Sequence, residues 1–180
     1  GVRAGGLTPL GAARRPGRPA EAAPLDLSAP DRVRALARGA DGAISALASG
    51  RGNPACSRLA AALAPCDGLR LVSISGSAIE RPGDARPAFD RAGTWLMRRL
   101  AGQMVADRQR EAELLAASAL RWTLLRPPRL TDGPPRGRIL WSDTSPPGTT
   151  IPRADLARAA VDALLDDALA RRAPFLAASR

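Results

Sequence analysis

An α/β fold is predicted, with an open parallel sheet covered by helices on both faces, and three observations predict it. Short apolar stretches of strand length alternate along the chain with longer stretches whose apolar residues recur at helical spacing. Several of the short stretches are apolar at consecutive positions, as strands buried between two helical layers must be. Two of them run into polar, turn-rich ends, Arg70-Leu-Val-Ser-Ile-Ser-Gly-Ser77 and Arg121-Trp-Thr-Leu-Leu-Arg-Pro-Pro-Arg-Leu-Thr-Asp-Gly-Pro134. In open α/β sheets the crevice beyond the carboxyl ends of the strands is where ligands bind.

Taken in order, Gly6 to Ala13 is a weak strand of edge type, because Pro9 removes a ladder donor. Ala22 to Leu27 is a short second strand ending at Asp26, and Ala29 to Ala37 is a helix with proline near its first turn. Ala43 to Leu47 reads as a buried parallel strand, and Pro54 to Leu63 as a helix with Leu59 and Leu63 one turn apart. Leu69 to Ser75 is the serine strand. A loop rich in Pro, Gly and charge covers 80–90, after which Trp95 to Ala117 is a long amphipathic helix on Leu96, Leu100, Met104, Leu114 and Leu115. Trp122 to Leu125 is a buried strand stopped by Pro127 and Pro128. Arg138 to Trp141 is a short strand, and Pro152 to Ala170 is a last helix with Leu156, Ala160, Ala163 and Leu164 on one face. At 180 residues and 45% hydrophobic content the chain buries one continuous core and is too short for two ordinary domains, so residues 1–180 are read as a single domain.

Composition excludes several classes of function. The net charge of +10 comes entirely from arginines scattered among Ala, Gly and Pro, with no tyrosine, two phenylalanines and three tryptophans. A nucleic-acid face clusters its basic residues and adds exposed aromatics, so no nucleic-acid partner is expected. With no histidine and two cysteines, Cys56 and Cys66, there is neither a thiolate-imidazole metal site nor a catalytic histidine, and no metal is expected. No apolar run reaches the roughly 18 residues of a membrane span, and no secretion signal opens the sequence. A cytoplasmic protein with no membrane partner is the expectation.

A set of segments, each weak alone, occurs in a specific order: Ala13-Arg-Arg-Pro-Gly17, Leu25-Asp-Leu27, Gly39-Ala-Asp-Gly-Ala-Ile-Ser-Ala-Leu47, Arg70-Leu-Val-Ser-Ile-Ser75, Glu113-Leu-Leu-Ala-Ala-Ser-Ala-Leu-Arg-Trp-Thr123, Arg126-Pro-Pro128 and Ile151-Pro-Arg-Ala-Asp-Leu156. In this order and spacing the chain resembles the atypical short-chain dehydrogenase/reductase group that includes NmrA-like proteins and the flavin-reductase type of biliverdin reductase. The resemblance runs from Ala4 to about Pro174 and implies a Rossmann-like NAD(P)H-binding domain.

It also implies roles for particular residues. Arg14 and Arg15 follow the strand that ends beside the adenosine ribose, where guanidinium groups would grip a 2′-phosphate and favour NADPH over NADH; the alternative is two solvated arginines. Asp26 and Leu27 match the adenine-contact dipeptide, Asp26 being equally readable as a strand-end residue that caps a helix. Ala46, Leu47 and Ala48 lie where the backbone passes under ribose and phosphates. Ser75 holds the position from which a hydroxyl would bond a substrate carbonyl or the nicotinamide amide, with Ser77 as the alternative. Arg126, Pro127, Pro128 and Leu130 belong to the segment that wraps the nicotinamide. Asp107 and Arg108 fall near a polar substrate-side position, or else form the wet face of a helix. With no tyrosine and no lysine in the chain, the Tyr-x-x-x-Lys mechanism of the short-chain dehydrogenases proper is impossible, and the acceptor itself would have to be the electron sink, as a flavin is.

The family's sheet normally opens with one further strand, a glycine-rich turn and a helix, and Gly1, Gly5 and Gly6 do not have the spacing of that turn. The expected fold therefore lacks its first strand in this chain. Two readings follow. Either the chain is a truncated part of an NADPH-dependent reductase of a flavin, quinone or similar small conjugated acceptor, or it is a non-catalytic NmrA-like dinucleotide-sensing or protein-interaction module, or an inactive fragment.

Overall fold

In the computed structural model, residues 12–13, 23–24, 26–85 and 88–179 are described. Its centre is a parallel sheet of three strands in the order β3-β4-β5, formed by β3 (Gly42–Ser45), β4 (Arg70–Ile74) and β5 (Arg121–Leu125). The register is even, with Ser45 opposite Ser73 and Ser73 opposite Leu124. Two shorter parallel strands, β1 (Ala12–Ala13) and β2 (Ala23–Pro24), pair with each other, and among the described residues no ladder joins them to β3.

Because side chains alternate along a strand, the two faces of β4 bury different partners. Leu71, with Trp122 and Leu124 of β5, meets α1 (Pro30–Ala37), α2 (Ala55–Leu63) and α3 (Ala88–Ala117) through Val33, Leu59, Leu63, Ala112 and Leu115. Val72 and Leu125 face α4 (Arg153–Leu165) through Leu156, Ala159, Ala160 and Ala163. Helices thus cover both faces, as predicted. Each buried aliphatic side chain of this kind contributes roughly 1.5–3 kcal/mol. Arg70 ties α4 to the sheet. Its guanidinium donates to the Thr123 hydroxyl, the Arg121 carbonyl and the Ala163 carbonyl, all at 2.6 Å, and so places a cation against the carbonyl end of the helix.

Four expectations need correction. Ala43 to Leu47 is not apolar and buried on both faces: β3 is an outer strand, Ile44 is 41% exposed, and the strand ends at Ser45. The long helix begins at Ala88 rather than Trp95 and is broken at Ala101 (φ −127°, ψ 33°). Its buried stripe carries Val105, Asp107, Glu111, Ala112 and Leu115, while Met104 is 45% exposed; charged residues on the inner side put the apolar spacing out of phase. The side chains of Leu96 and Leu100 lie outside the described residues. The last helix stops at Leu165, where Asp166 turns extended and caps a short 3-10 turn, Asp167–Leu169. Finally, three strands outside the central parallel sheet were not expected. The sequence concealed β6 (Arg129–Thr131), β8 (Thr150–Pro152) and β9 (Phe175–Ala178); β6 and β8 pair in parallel, and β9 runs antiparallel to β7 (Ile139–Ser142).

Candidate functional site

The carboxyl ends of β3, β4 and β5 lie side by side, and the chain beyond each is fixed by hydrogen bonds to its neighbours. Past β4 the amide of Ser75 donates to the Leu125 carbonyl (2.8 Å), and that of Ser77 to the Pro127 carbonyl (3.0 Å), so the serine turn and the Arg126-Pro-Pro segment advance together. The Ser75 hydroxyl is buried and no described atom bonds it. A buried hydroxyl without a partner is costly, and this one lies just past the carboxyl end of β4. The Ser45 hydroxyl, at the end of β3, is in the same condition.

Arg126 turns inward instead of toward the crevice. Its side chain is 2% exposed, both Asp84 carboxylate oxygens accept from its Nη1 at 2.8 Å, Nε donates to the Ala173 carbonyl at 2.6 Å, and the guanidinium lies 3.6 Å over the Phe175 ring. The Arg126 amide is engaged too, by the Pro174 carbonyl. Its part in wrapping a nicotinamide is therefore not played by its side chain or its amide. Pro127 is buried, Pro128 is half-buried, and Leu130 packs on the α4 core.

Asp107 and Arg108 do not form a wet helix face: both are engaged by hydrogen bonds across the fold, and Asp107 also lines the cavity beside the start of α2. Asp107 is 6% exposed, and its carboxylate accepts from the amides of Cys56 (3.0 Å) and Ser57 (3.3 Å) and from the hydroxyls of Ser49 and Ser57. The start of α2 has no cap of its own, since Pro54 precedes it, and Asp107 supplies one from another helix. Burial alone would raise its pKa, but the four hydrogen bonds outweigh that and hold it below the usual carboxylate value. Arg108 donates from Nη2 to the Leu47 carbonyl and from Nη1 to Glu111 Oε2 (2.9 Å), while Glu111 Oε1 accepts from the Ser73 hydroxyl at 2.5 Å. Burial pushes the nearby Cys56 thiol up to about 11, so it is protonated at neutral pH.

Ala46 and Ala48 are exposed and Leu47 half-buried, on the stretch just past β3. Asp26 is exposed at the end of β2, its Oδ1 accepting from the Ser28 amide and hydroxyl at 2.9 and 2.7 Å; it forms a turn ahead of α1 and does not cap the helix directly, and these bonds lower its pKa. Leu27 packs against the core. Arg14 and Arg15 lie outside the described residues. Two cavities of about 440 and 380 Å³ lie elsewhere, one under Trp141 and α4 and one beside the start of α2, and Ser75 lines neither. Glu111 is among the buried polar residues that sequence reasoning passed over; its position one turn past Asp107 was the available signal.

A parallel sheet covered on both faces by helices is the framework of the dinucleotide-binding class of α/β domains. Residues 12–167 match the NAD(P)H-binding family, and the chain belongs to it. No curated protein matches the sequence. Among solved structures, the chain is similar to ChuY, an anaerobilin reductase from Escherichia coli O157:H7 (19% identity, TM-score 0.67, 86% of this chain and 73% of that one). It is similar to a short-chain dehydrogenase/reductase from Veillonella parvula in complex with NADP (18%, 0.63, 88% and 73%). It is also similar to a candidate NADH-flavin reductase from Streptococcus pneumoniae (19%, 0.70, 93% and 85%). These likenesses establish a shared Rossmann-like fold.

Proposed function

We propose that the protein acts in an NADPH-dependent reduction of a flavin, quinone or similar small conjugated acceptor. The observation that carries this is the buried, unpartnered hydroxyl of Ser75 at the end of β4. The nicotinamide, when bound, supplies the hydride. Ser75 donates a hydrogen bond to the acceptor carbonyl and orients it, while the backbone of Ala46 to Ala48 and the Pro127 to Leu130 segment hold the cofactor from either side. Asp26 and Leu27 take the adenine, and Arg14 and Arg15 take the 2′-phosphate and set the preference for NADPH. With neither tyrosine nor lysine in the chain, the Tyr-x-x-x-Lys route is closed, which suits an acceptor that stabilises the added electrons itself. The anaerobilin reductase ChuY and the Veillonella parvula short-chain dehydrogenase/reductase in complex with NADP support the reading.

The test is oxidation of NADPH and NADH followed at 340 nm with and without FMN or a soluble quinone. Turnover that requires the acceptor and favours NADPH is the expected result; binding without turnover would assign the dinucleotide-sensing alternative. Ser75→Ala should lower kcat about tenfold or more, in the range of a lost transition-state donor, with little change in NADPH affinity. Equal loss of both would remove Ser75 from the role.

A further inference from the structure

Three side chains on the inner side of α3 reach across to the backbone that follows β3. Arg108 holds the Leu47 carbonyl, Asp107 holds the Ser49 hydroxyl and the first amides of α2, and Glu111 fixes Arg108 from one side and Ser73 from the other. Leu47 to Ser57 is thus pinned at both ends by a helix more than 50 residues away in sequence. It has little regular structure of its own, the described pairing within it being the Gly50–Asn53 bridge. Such a segment relies on outside contacts to keep its place, and a displacement of 1 Å at a cofactor-bearing backbone is enough to change binding strongly.

We infer that Asp107, Arg108 and Glu111 are positioning residues for the cofactor: they set where the Ala46 to Ala48 backbone lies relative to Ser75, and they touch neither cofactor nor acceptor. The inference rests on the assignment of Ala46 to Ala48 to the cofactor. Its geometry also gives the two halves of the site one support, because Glu111 grips Ser73, two residues before Ser75, while its partner Arg108 grips Leu47.

The experiment measures the Kd for NADPH by titration of tryptophan fluorescence, with kcat, KM and Tm, on the whole chain carrying Arg108→Met, Arg108→Lys or Leu115→Ala. Leu115→Ala is a control that weakens the same helix through its core contact alone. Arg108→Met is expected to raise Kd and KM about tenfold with kcat within about threefold, Arg108→Lys to recover part of the affinity, and Leu115→Ala to lower Tm while leaving Kd unchanged. An unchanged Kd in Arg108→Met overturns the inference, and so does an equal rise in Leu115→Ala, which would make the effect general loosening. Should Arg108→Met fail to fold, Arg108→Lys decides by the same criterion. Failure of the unmodified protein to bind NADPH or NADH would sink the cofactor assignment and the inference with it; binding by the unmodified protein with no response in the variants sinks the inference alone.

Discussion

Asp84 and Asp107 are both buried carboxylates that fasten the chain beyond a strand end, and they are satisfied by opposite means. Asp84, its side chain 8% exposed, meets a full opposite charge, the Arg126 guanidinium, which is itself sealed beneath Phe175. Asp107 meets two hydroxyls and two amides at the start of a helix. Asp84 also accepts from the Arg81 amide at 3.0 Å, but the full opposite charge comes from the guanidinium, whose loss removes more than the loss of one dipole would. A charge matched by several dipoles loses them one at a time, and its site degrades gradually.

The largest expected effect comes from breaking the first arrangement. Arg126→Met should destabilise the fold by about 3–5 kcal/mol, because it leaves the Asp84 carboxylate buried without its cation, whereas the double variant Arg126→Met, Asp84→Leu should recover most of that loss. Urea denaturation of the three proteins checks it, and a double variant no better than the single would mean that the charge pairing is not what matters. At Asp107 the effect is smaller: Asp107→Asn should cost about 1–2 kcal/mol, the range of a lost helix cap. Since the folded pKa of Asp107 lies below its unfolded value, its contribution is fully present above about pH 4 and is lost as the pH falls through the lowered folded value. Melting curves of the unmodified protein and Asp107→Asn should therefore differ at pH 7 and converge in acid; a constant gap would show that the charge contributes nothing. The smallest effect sharpens the comparison from outside. The Arg121–Asp167 ion pair is exposed on both sides, 45% and 75%, and Arg121→Ala should change stability by no more than about 0.5 kcal/mol, measured by the same denaturation.

The same contrast governs what could be read in the sequence. Regions organised by apolar period were legible: β4, β5, α1 and α2 fall within a residue or so of where Leu71, Val72, Trp122, Leu59 and Leu63 put them. The polar anchors were not, because Asp107, Glu111 and Arg126 each acquire their meaning from a partner 38 or more residues away, and a charged residue on the inner side of a helix looks in sequence like one on the outer side. The placement of Ser75 was legible because it follows from where the apolar run of β4 ends. The strand Phe175–Ala178 was missed for the same long-range reason, its ladder partner being Ile139–Ser142.

The way Arg126 is enclosed bears on how the protein is made. Chains emerge from the ribosome N-terminal end first, at about 5–20 residues per second. Asp84 is available to Arg126 early, but the Ala173 carbonyl, 47 residues further along, and the Phe175 ring complete its enclosure only later. Until they arrive, the guanidinium sits at a half-built wall and the nascent sheet lacks its closing piece. A ribosome stalled before Phe175 would hold a chain whose Arg126–Asp84 pair is still wet, so enclosure of that pair waits on the strand Phe175–Ala178.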